Sequence, residues 1–345
     1  MITATVLGAS GYTGMLLLRI LAHHPQIETV FASSRSGAGR FVNETDPGMS
    51  AATIRTGKIH PVVLSPDEAL RREADVVFSA LPHLASAEVC APVLGSTVVI
   101  DLSADFRFAD ARQFASAYGT EPPAPAYQDQ AVYGLVERAR TAVRTAMIIA
   151  NPGCYPTATL LPLLPVVEAG LVVPGSIVVN AMSGISGAGR KEKRNLLFAE
   201  RSETISAYNP GTLHRHSYEI RERIGLAKSG TEDGVLFTPH LVPIKQGMAV
   251  TTVFASQDPD AAIRTLYDAY SDEPFVRLLG ETPPETAHCR GTNEIRIAAR
   301  REGQKVILLS AIDNLWKGAS GQAVQNMNVR FGFAEDAGLI REAEL

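Results

Sequence analysis

The chain has 345 residues, of which 46% are hydrophobic and 20% charged, and its formal net charge is -4. At roughly 150 residues per domain, this length favours two domains with cores large enough to need no disulfides. The slightly acidic balance argues against a nucleic-acid-binding surface. No apolar run approaches the roughly 20 residues that a membrane helix requires.

The cysteines and the N-terminus indicate a reducing compartment. Cys90, Cys154 and Cys289 are far apart and form no CxxC pair, so the sequence predicts neither a disulfide framework nor a metal site. The opening MITATVLGASGYTG reads as a strand entering a turn and not as a secretory leader. We therefore expect a cytoplasmic protein.

Strands and helices alternate over the first 150 residues. The β-rich runs are 2–7, 27–32, 75–80, 97–102 and 147–150, and the helical spacings are 12–23 and 85–94. Pro92 disfavours the last turn of the second helix, and the proline-rich residues 119–134 predict a loop. This α/β alternation predicts a parallel sheet with helices on both faces.

The pattern changes after residue 151. A helix is predicted from 154 to about 168, followed by strands at 176–182, 234–241, 249–256, 294–299 and 305–311. Their long connections predict an α+β domain with a mixed or antiparallel sheet. Apolar residues at helical spacing predict a last helix over 315–331.

A glycine turn, GASGYTG, stands between the first strand and the first helix. Glycines there allow a tight turn and close approach of a pyrophosphate to the helix N-terminus, although the spacing is GxxGxxG and not GxGxxG. An ordinary glycine-rich turn is the alternative. The candidate cofactor-binding residues are Gly8, Ser10, Gly11, Tyr12, Thr13 and Gly14.

The end of the second strand bears on the choice of dinucleotide. It carries Ser33, Ser34 and Arg35 and no acid that would hold an NAD ribose. Hydroxyls and a guanidinium suit a 2′-phosphate, so we expect NADP. A solvated polar loop is the alternative.

Cys154 is the candidate nucleophile. It lies in NPGCYPT at a strand-to-helix junction, where a helix N-terminus lowers a thiol pKa. Cys90 lies inside a helical pattern and is expected to be a packing residue, and Cys289 beside His288 is a weaker candidate. A buried structural cysteine is the alternative for Cys154.

Histidines and cations supply the remaining candidates. His214 and His216 bracket Arg215, and an i, i+2 pair does not share a helix face, so we expect at most one of them in a site. A surface basic patch is the alternative. Four cations follow the loop SGISGAG and suit an anionic substrate or a solvated helix face: they are Arg190, Lys191, Lys193 and Arg194.

Together these motifs resemble the N-acetyl-γ-glutamyl-phosphate reductases of arginine biosynthesis, in the aspartate-semialdehyde dehydrogenase superfamily. The resemblance runs nearly end to end. It is carried by GASGYTG at 8–14, ALPH at 80–83, IDLSADFR at 100–107, YGL at 133–135, NPGCYPT at 151–157, SGISGAGR at 183–190, HRH at 214–216, PHLVP at 239–243 and AIDNLWKGASGQAVQNMN at 311–328.

The resemblance implies a Rossmann-like dinucleotide-binding domain with an inserted α+β catalytic and dimerisation domain. The first domain would comprise residues 1–150 and about 313–345, and the second residues 151–312. The C-terminal helix would then complete the first domain. A homodimer or homotetramer is implied as well.

The resemblance also implies the chemistry, which is the reduction of a small-molecule acyl phosphate by NADPH through a cysteine thioester. Cys154 matches the nucleophile and His216 the general acid/base. The implied substrate or phosphate residues are Arg107, Arg190, His214 and Lys245. Asn314 and the pair Lys317 and Gly318 match the stretch near the nicotinamide.

The sequence departs from the family pattern at two places, and three rival functions remain open. This chain has Lys245-Gln246-Gly247 where relatives commonly have Asn-Arg-Gly, and Lys245 would replace that arginine without bidentate geometry. Glu294 in GTNE is unexplained. The rivals are a homologous N-acetyl-aminoadipyl-phosphate reductase of lysine biosynthesis, a less favoured aspartyl phosphate reductase, and an NADP-binding redox sensor without catalysis.

Overall fold

Thirteen strands form two separate sheets within residues 1–225 and 234–343, the part of the chain that the computed structural model describes. Each sheet belongs to its own compact unit. The first unit comprises Met1–Ala109, Pro122–Pro152 and Ala319–Leu339. The second comprises Asp110–Glu121, Gly153–Gly318 and the residues from Ile340 on.

The first unit contains a six-stranded parallel sheet in the order β2-β1-β3-β4-β6-β5. The strands are β1 Ile2–Leu7, β2 Ile27–Ser33, β3 Val76–Ser79, β4 Val98–Asp101, β5 Ala131–Tyr133 and β6 Ile148–Ala150. β3, β4 and β6 are buried at every residue, as expected for a parallel sheet covered on both faces. The predicted α/β arrangement is therefore confirmed.

Helices of the first unit follow the predictions in part. They are α1 Tyr12–His23, α2 Val42–Thr45, α3 Ala51–Arg55, α4 Pro66–Leu70, α5 Ser86–Cys90, α7 Val136–Val143 and α12 Gly321–Arg330. The helix predicted over 85–94 ends at Cys90, and a 3-10 turn containing Pro92 follows. The loop prediction for 119–134 was wrong over its last part, because Ala131–Tyr133 pairs with β6 as an edge strand.

The second unit contains a seven-stranded mixed sheet in the order β11-β12-β13-β10-β7-β9-β8. The strands are β7 Ile177–Gly184, β8 Ser206–Ala207, β9 Val235–Val242, β10 Met248–Ala255, β11 Val276–Leu278, β12 Ile295–Glu302 and β13 Lys305–Ile312. β7 and β9 are parallel, whereas β10 pairs antiparallel with β7 and β13. The predicted mixed sheet is confirmed.

Five helices belong to the described part of the second unit: α6 Ala111–Tyr118, α8 Cys154–Glu168, α9 Phe198–Arg201, α10 Arg215–Arg223 and α11 Pro259–Ala269. α8 and α11 pack on the sheet through β10, β12 and β13. α10 packs against both α6 and α8. α8 is buried from Tyr155 to Val166, so this helix is the centre of the core.

The boundaries between the units differ from the predicted ones. Asp110–Glu121 belongs to the second unit because α6 packs against α10. The predicted helix over 315–331 begins as a π-helical turn, Trp316–Ser320, and continues as α12. The change of unit falls inside that turn, between Gly318 and Ala319.

α12 is buried despite its polar sequence. Gln322 and Asn326 both donate to the carbonyl of Gly134, and Gln325 donates to Glu137. These side chains are 0% exposed, so the hydrogen bonds that they donate help to hold α12 in the first unit. No helix in the described ranges is long and apolar enough to cross a membrane.

Candidate active site

The candidate nucleophile occupies the first position of a long helix. α8 begins at Cys154, after the N-cap Gly153, whose backbone is extended (φ -67°, ψ 155°). The residues that follow are buried, whereas Cys154 is only partly buried. The thiol therefore lies at a helix end whose N–H groups and partial positive charge favour a thiolate.

A buried carboxylate holds the residue before the cysteine. Glu219 Oε1 accepts a hydrogen bond from the N–H of Gly153 at 3.1 Å, and Glu219 is 1% exposed. Glu219 lies in α10, three residues after His216. Glu219 was not among the residues predicted from the sequence, although an acid one helical turn after a candidate histidine is a recognisable signal.

The two histidines of the HRH motif are buried and adjacent. His214 is the N-cap of α10, and its Nδ1 accepts a hydrogen bond from the N–H of His216 at 3.1 Å. The two ring centroids are 4.9 Å apart. The alternative of a surface basic patch is therefore wrong. Because His214 precedes the helix and His216 lies in its first turn, both rings reach one place despite their i, i+2 spacing.

Tyr155 connects these histidines to the cysteine. Its ring centroid lies 5.6 Å from that of His214 and 5.8 Å from that of His216. Its hydroxyl lies 2.9 Å from that of Tyr208. Since Tyr155 follows Cys154 directly, the helix start and the histidine pair share one aromatic cluster.

Burial fixes the protonation states in this cluster. Desolvation, with a smaller contribution from Arg215, lowers the pKa of His214 to about 4. Desolvation also raises the pKa of Tyr208 to about 12 and raises that of Tyr155. At neutral pH His214 is a neutral imidazole, and because its Nδ1 is an acceptor, its proton is on Nε2.

Gly318 packs directly against the nucleophile. A Cβ at Gly318 would lie 2.8 Å from the Cβ of Cys154 and 3.3 Å from its Cα. The neighbouring Lys317 is 0% exposed, with Nζ 5.6 Å from the ring centroid of Phe275. The absence of a side chain at 318 therefore lets the π-helical turn pass beside Cys154.

Asp313 and Asn314 join the loops around this turn. Asp313 accepts hydrogen bonds from Gln246 Nε2 at 2.6 Å and from the N–H of Gly291 at 2.7 Å. Asn314 accepts from the N–H of Gly247 at 2.7 Å and donates to Ser186 Oγ at 3.0 Å. Both ends of the Asn314 amide are therefore engaged within the second unit, and its predicted contact with the cofactor stays a prediction.

The expected substrate cations are exposed. Lys245 points its exposed side chain away from the core, while the neighbouring Gln246 reaches Asp313. Arg190, Lys191, Lys193 and Arg194 are exposed in the segment after β7, between one short 3-10 turn, Ile185–Ala188, and a second that begins at Arg194. The alternative of a solvated helix face is therefore wrong for this group, and its role toward a substrate stays a prediction.

Arg107 lies in the first unit and is 4% exposed. Its Nε donates to the carbonyl of Asn151 at 2.8 Å, and its Nη2 donates to the carbonyl of Leu102 at 2.9 Å. The guanidinium thus fixes the backbone at Asn151, at the end of the first unit's sheet. Its expected contact with a substrate phosphate stays a prediction.

Glu294, which the sequence left unexplained, is a buried ion-pair partner. Its carboxylate contacts Arg277 at 2.7 Å and Arg296 at 3.4 Å.

The other cysteines are inert by burial, which raises the pKa of both Cys90 and Cys289 to about 12. No group of three or more metal-binding side chains occurs within residues 1–225 and 234–343.

The glycine turn of the first unit forms a cradle. Gly8 has a φ of +81°, and a Cβ there would lie 2.4 Å from the carbonyl oxygen of Ala80. A Cβ at Gly14 would lie 2.3 Å from the carbonyl oxygen of Gly8. Only glycine fits both positions, and α1 begins after Gly11 with no side-chain cap among the described residues. The helix end therefore remains available to a phosphate.

The end of β2 joins this turn. Ser10 Oγ and Ser34 Oγ are 2.9 Å apart, Ser33 is buried, and Arg35 is exposed. The Ser33 hydroxyl has no hydrogen-bond partner within the described residues. Tyr12 and Thr13 open α1, and Tyr12 is 38% exposed. The candidate cofactor residues of the first unit therefore lie together and fit a dinucleotide.

Comparisons with known proteins agree with this architecture. Residues 3–146 match the family "Semialdehyde dehydrogenase, NAD binding domain", and residues 154–314 match "Semialdehyde dehydrogenase, dimerisation domain". Aspartate semialdehyde dehydrogenase II from Vibrio cholerae, complexed with ASA, has a TM-score of 0.72 at 18% identity, covering 96% of this chain and 98% of that one. Aspartate semialdehyde dehydrogenase with NADP from Candida albicans has a TM-score of 0.66 at 17% identity, covering 95% and 98%.

These matches define a two-domain member of the semialdehyde dehydrogenase families, with an NAD-binding domain and a dimerisation domain. The chain is 45% identical to the N-acetyl-gamma-glutamyl-phosphate reductase of Ectopseudomonas mendocina over 100% of both chains. It is 42% identical to the enzyme of that name from Thiobacillus denitrificans over 98% of both. The chain belongs to the N-acetyl-γ-glutamyl-phosphate reductase family, and the resemblance seen in its motifs is confirmed.

Proposed function

We propose that this chain reduces N-acetyl-γ-glutamyl phosphate to N-acetylglutamate semialdehyde and phosphate with NADPH, in arginine biosynthesis. The observation that carries the proposal is Cys154 at the start of α8, in one aromatic cluster with His216. A nucleophile at a helix N-terminus beside an imidazole is the arrangement that covalent acyl transfer requires. The full-length identity to reductases of that name supports the substrate.

Cys154 acts first. Its thiolate attacks the γ-acyl carbon, the carbon–oxygen bond to phosphate breaks, and inorganic phosphate leaves. A thioester remains on the cysteine. This step replaces a poor hydride acceptor by a better one and so divides one difficult reaction into two easier ones.

His216 then acts as the general acid and base. When bound, NADPH would supply the hydride that reduces the thioester carbon. His216 donates a proton to the developing oxyanion, which gives a thiohemiacetal on Cys154. It next removes the hydroxyl proton as the carbon–sulfur bond breaks, which releases the aldehyde and restores the thiolate. His214 is neutral and oriented by its bond to the His216 N–H, so it supports the second histidine.

The NADP preference rests on the end of β2. Ser33 and Ser34 supply hydroxyls, Arg35 supplies an exposed guanidinium, and no acid is present to repel a 2′-phosphate. The phosphates themselves are proposed to lie on the turn that Gly8 and Gly14 form.

The second sheet supports a homo-oligomer. α8 and α11 pack on the sheet, yet Met182 is 46% exposed and Leu236 is 58% exposed. The strand registers place Val178, Met182, Leu236, Val253 and Ile307 on that same open face. We propose that a second copy covers it, in line with the dimerisation family that matches residues 154–314. Leu236→Lys should then lower the oligomer mass measured by light scattering, and an unchanged mass would contradict the interface.

The test of function is the reverse reaction with N-acetylglutamate semialdehyde, phosphate and NADP⁺, followed by NADPH absorbance. Phosphate-dependent NADPH formation is expected, and Cys154→Ser should abolish it. Turnover only with the aldehyde one carbon longer would transfer the mechanism to lysine biosynthesis. Absence of turnover with either aldehyde, in protein that binds NADPH, would favour the alternative of an NADP-binding redox sensor without catalysis.

A further inference from the structure

Glu219 links the two helices that carry the reacting side chains. It lies in α10, and its carboxylate accepts the N–H of Gly153, the N-cap of α8. The contact spans 66 residues of sequence and is buried. A charge-assisted hydrogen bond of this kind restrains both helices more strongly than a neutral one would.

The position of Glu219 in α10 places it beside the general acid/base. His216 and Glu219 are three residues apart, and side chains at this spacing lie on one helix face with Cβ atoms about 5 to 6 Å apart. Glu219 therefore shares a helix face with His216, and its carboxylate contacts the residue that precedes Cys154. No other acid in α10 has this double relation, since Glu222 instead contacts Arg223 and the N–H of Asp110.

We infer that Glu219 is a positioning residue for the proposed reaction, which holds the start of α8 against α10 and supplies the negative charge that favours the protonated form of His216. The inference rests on the proposed function for the roles of Cys154 and His216. The hydrogen bond sets the relative position of nucleophile and acid/base. The charge sets the pH range over which Cys154 is a thiolate and His216 is protonated.

The charge effect has a definite sign. A carboxylate stabilises an imidazolium and opposes a nearby thiolate, so its removal lowers the pKa of both groups. Two unit charges at the roughly 6 Å that separates Cβ atoms at this spacing interact weakly in water and about four times more strongly at an effective dielectric constant of 20. That interaction corresponds to a displacement of about 0.5 to 2 pH units.

Other ionisable groups near α10 do not share this position. The elements packed against α10 carry Asp110, Arg112, Tyr118, Cys154, Tyr155, Glu168 and His240. Besides His216 and Glu219, α10 and its N-cap carry His214, Arg215, Tyr218, Arg221, Glu222 and Arg223. Arg215 lies over the Tyr118 ring, and Arg112 pairs with its neighbour Asp110. Glu219 alone among these groups receives the N–H of Gly153.

Two variants of Glu219 separate position from charge. Glu219→Gln keeps the size and one oxygen acceptor for the Gly153 N–H but removes the charge, and Glu219→Ala removes both. Glu222→Gln is the matched control, because it neutralises another acid of the same helix. Two readouts apply to each: the pH profile of kcat and KM, and the rate at which iodoacetamide alkylates Cys154 between pH 5 and pH 9, followed by peptide mass spectrometry.

In Glu219→Gln, we expect both limbs of the kcat profile and the acid limb of alkylation to move about 0.5 to 2 pH units lower. KM should stay within about twofold. Glu219→Ala should show the same displacement and a further loss of kcat of about tenfold or more, from misplacement of Cys154. Glu222→Gln should retain the wild-type limbs.

Unmoved limbs in a folded Glu219→Gln variant would overturn the inference, and so would an equal displacement in Glu222→Gln. If Glu219→Ala does not fold, Glu219→Gln decides alone. The alkylation arm needs no substrate, so it tests Glu219 even where wild-type turnover fails. Such a failure would count against the proposed function, whereas a displaced alkylation limb would still support the link between Glu219 and Cys154.

Discussion

Replacing Gly318 by alanine should displace the nucleophile without unfolding the protein. The new Cβ would lie 2.8 Å from the Cβ of Cys154, whereas carbon atoms pack at about 3.5 to 4.0 Å. Either the π-helical turn or the start of α8 must therefore move by about 1 Å. A shift of this size at a reacting group costs about 100-fold in rate, and such overpacking costs about 1 to 3 kcal/mol of stability.

The assay compares kcat, the alkylation rate of Cys154 and the free energy of unfolding in urea. Gly303→Ala is the control, since Gly303 has a φ of +60° with nothing within 4 Å of a Cβ. A non-glycine residue in that conformation costs about 1 to 2 kcal/mol. Gly303 precedes β13, which is 8 residues long and spans about 23 Å at a rise of 3.3 Å per residue before the chain reaches Asp313. The control should lose stability and keep kcat. Wild-type kcat and alkylation in Gly318→Ala would refute the reasoning.

Four further outcomes are expected. Cys154→Ser should abolish turnover while NADPH binding, measured by fluorescence titration, persists; retained turnover would show that Cys154 is not the nucleophile. His216→Asn should lower kcat far more than His214→Asn, because asparagine at 214 keeps an N-cap acceptor for the His216 N–H; the opposite ranking would exchange their roles. The folded-state pKa of His214, about 4, is below its ordinary 6.5, so the unfolded state binds the proton more readily and stability falls as pH drops through this range. Urea unfolding should lose about 3 kcal/mol more in wild type than in His214→Asn between pH 7 and pH 4; equal losses would contradict the burial argument. Arg35→Ala should raise the KM for NADPH more than that for NADH; equal effects would place the 2′-phosphate elsewhere.

Local signals predicted five of the six strands and the first helix of the first unit, but not α2, α3, α4 or α7. The bounds of β1 and α1 match the predicted ones because a β-rich run, a glycine turn and an amphipathic stretch follow one another there. α11 was missed although Asp258 caps it and Pro259 opens it, which is a readable helix start. β5 was missed because three residues of an edge strand after a proline-rich stretch carry almost no periodicity.

The final predicted helix shows where prediction from local residue patterns fails. Apolar spacing over 315–331 predicts one uninterrupted helix, but Gly318 N–H bonds to the Asp313 carbonyl and the first turn is π-helical. Asp313 in turn receives the N–H groups of Leu315 and Trp316. These bonds depend on a buried carboxylate that also holds Gln246 and Gly291, which no local propensity encodes.

Residue patterns alone were enough to infer the α/β class, the glycine turn, the helix-start cysteine, the HRH motif and, through their joint order, the family. Each of these is a local pattern of residue types, and local patterns are written directly in the chain. Only the folded chain shows that His214 caps the helix of His216, that Glu219 accepts a hydrogen bond from Gly153, and that Gly318 lies against Cys154. The last two pair residues far apart in sequence, and even the histidine cap requires the backbone geometry of a formed helix start. Their partners are therefore set by packing and by the need of buried polar groups for hydrogen bonds.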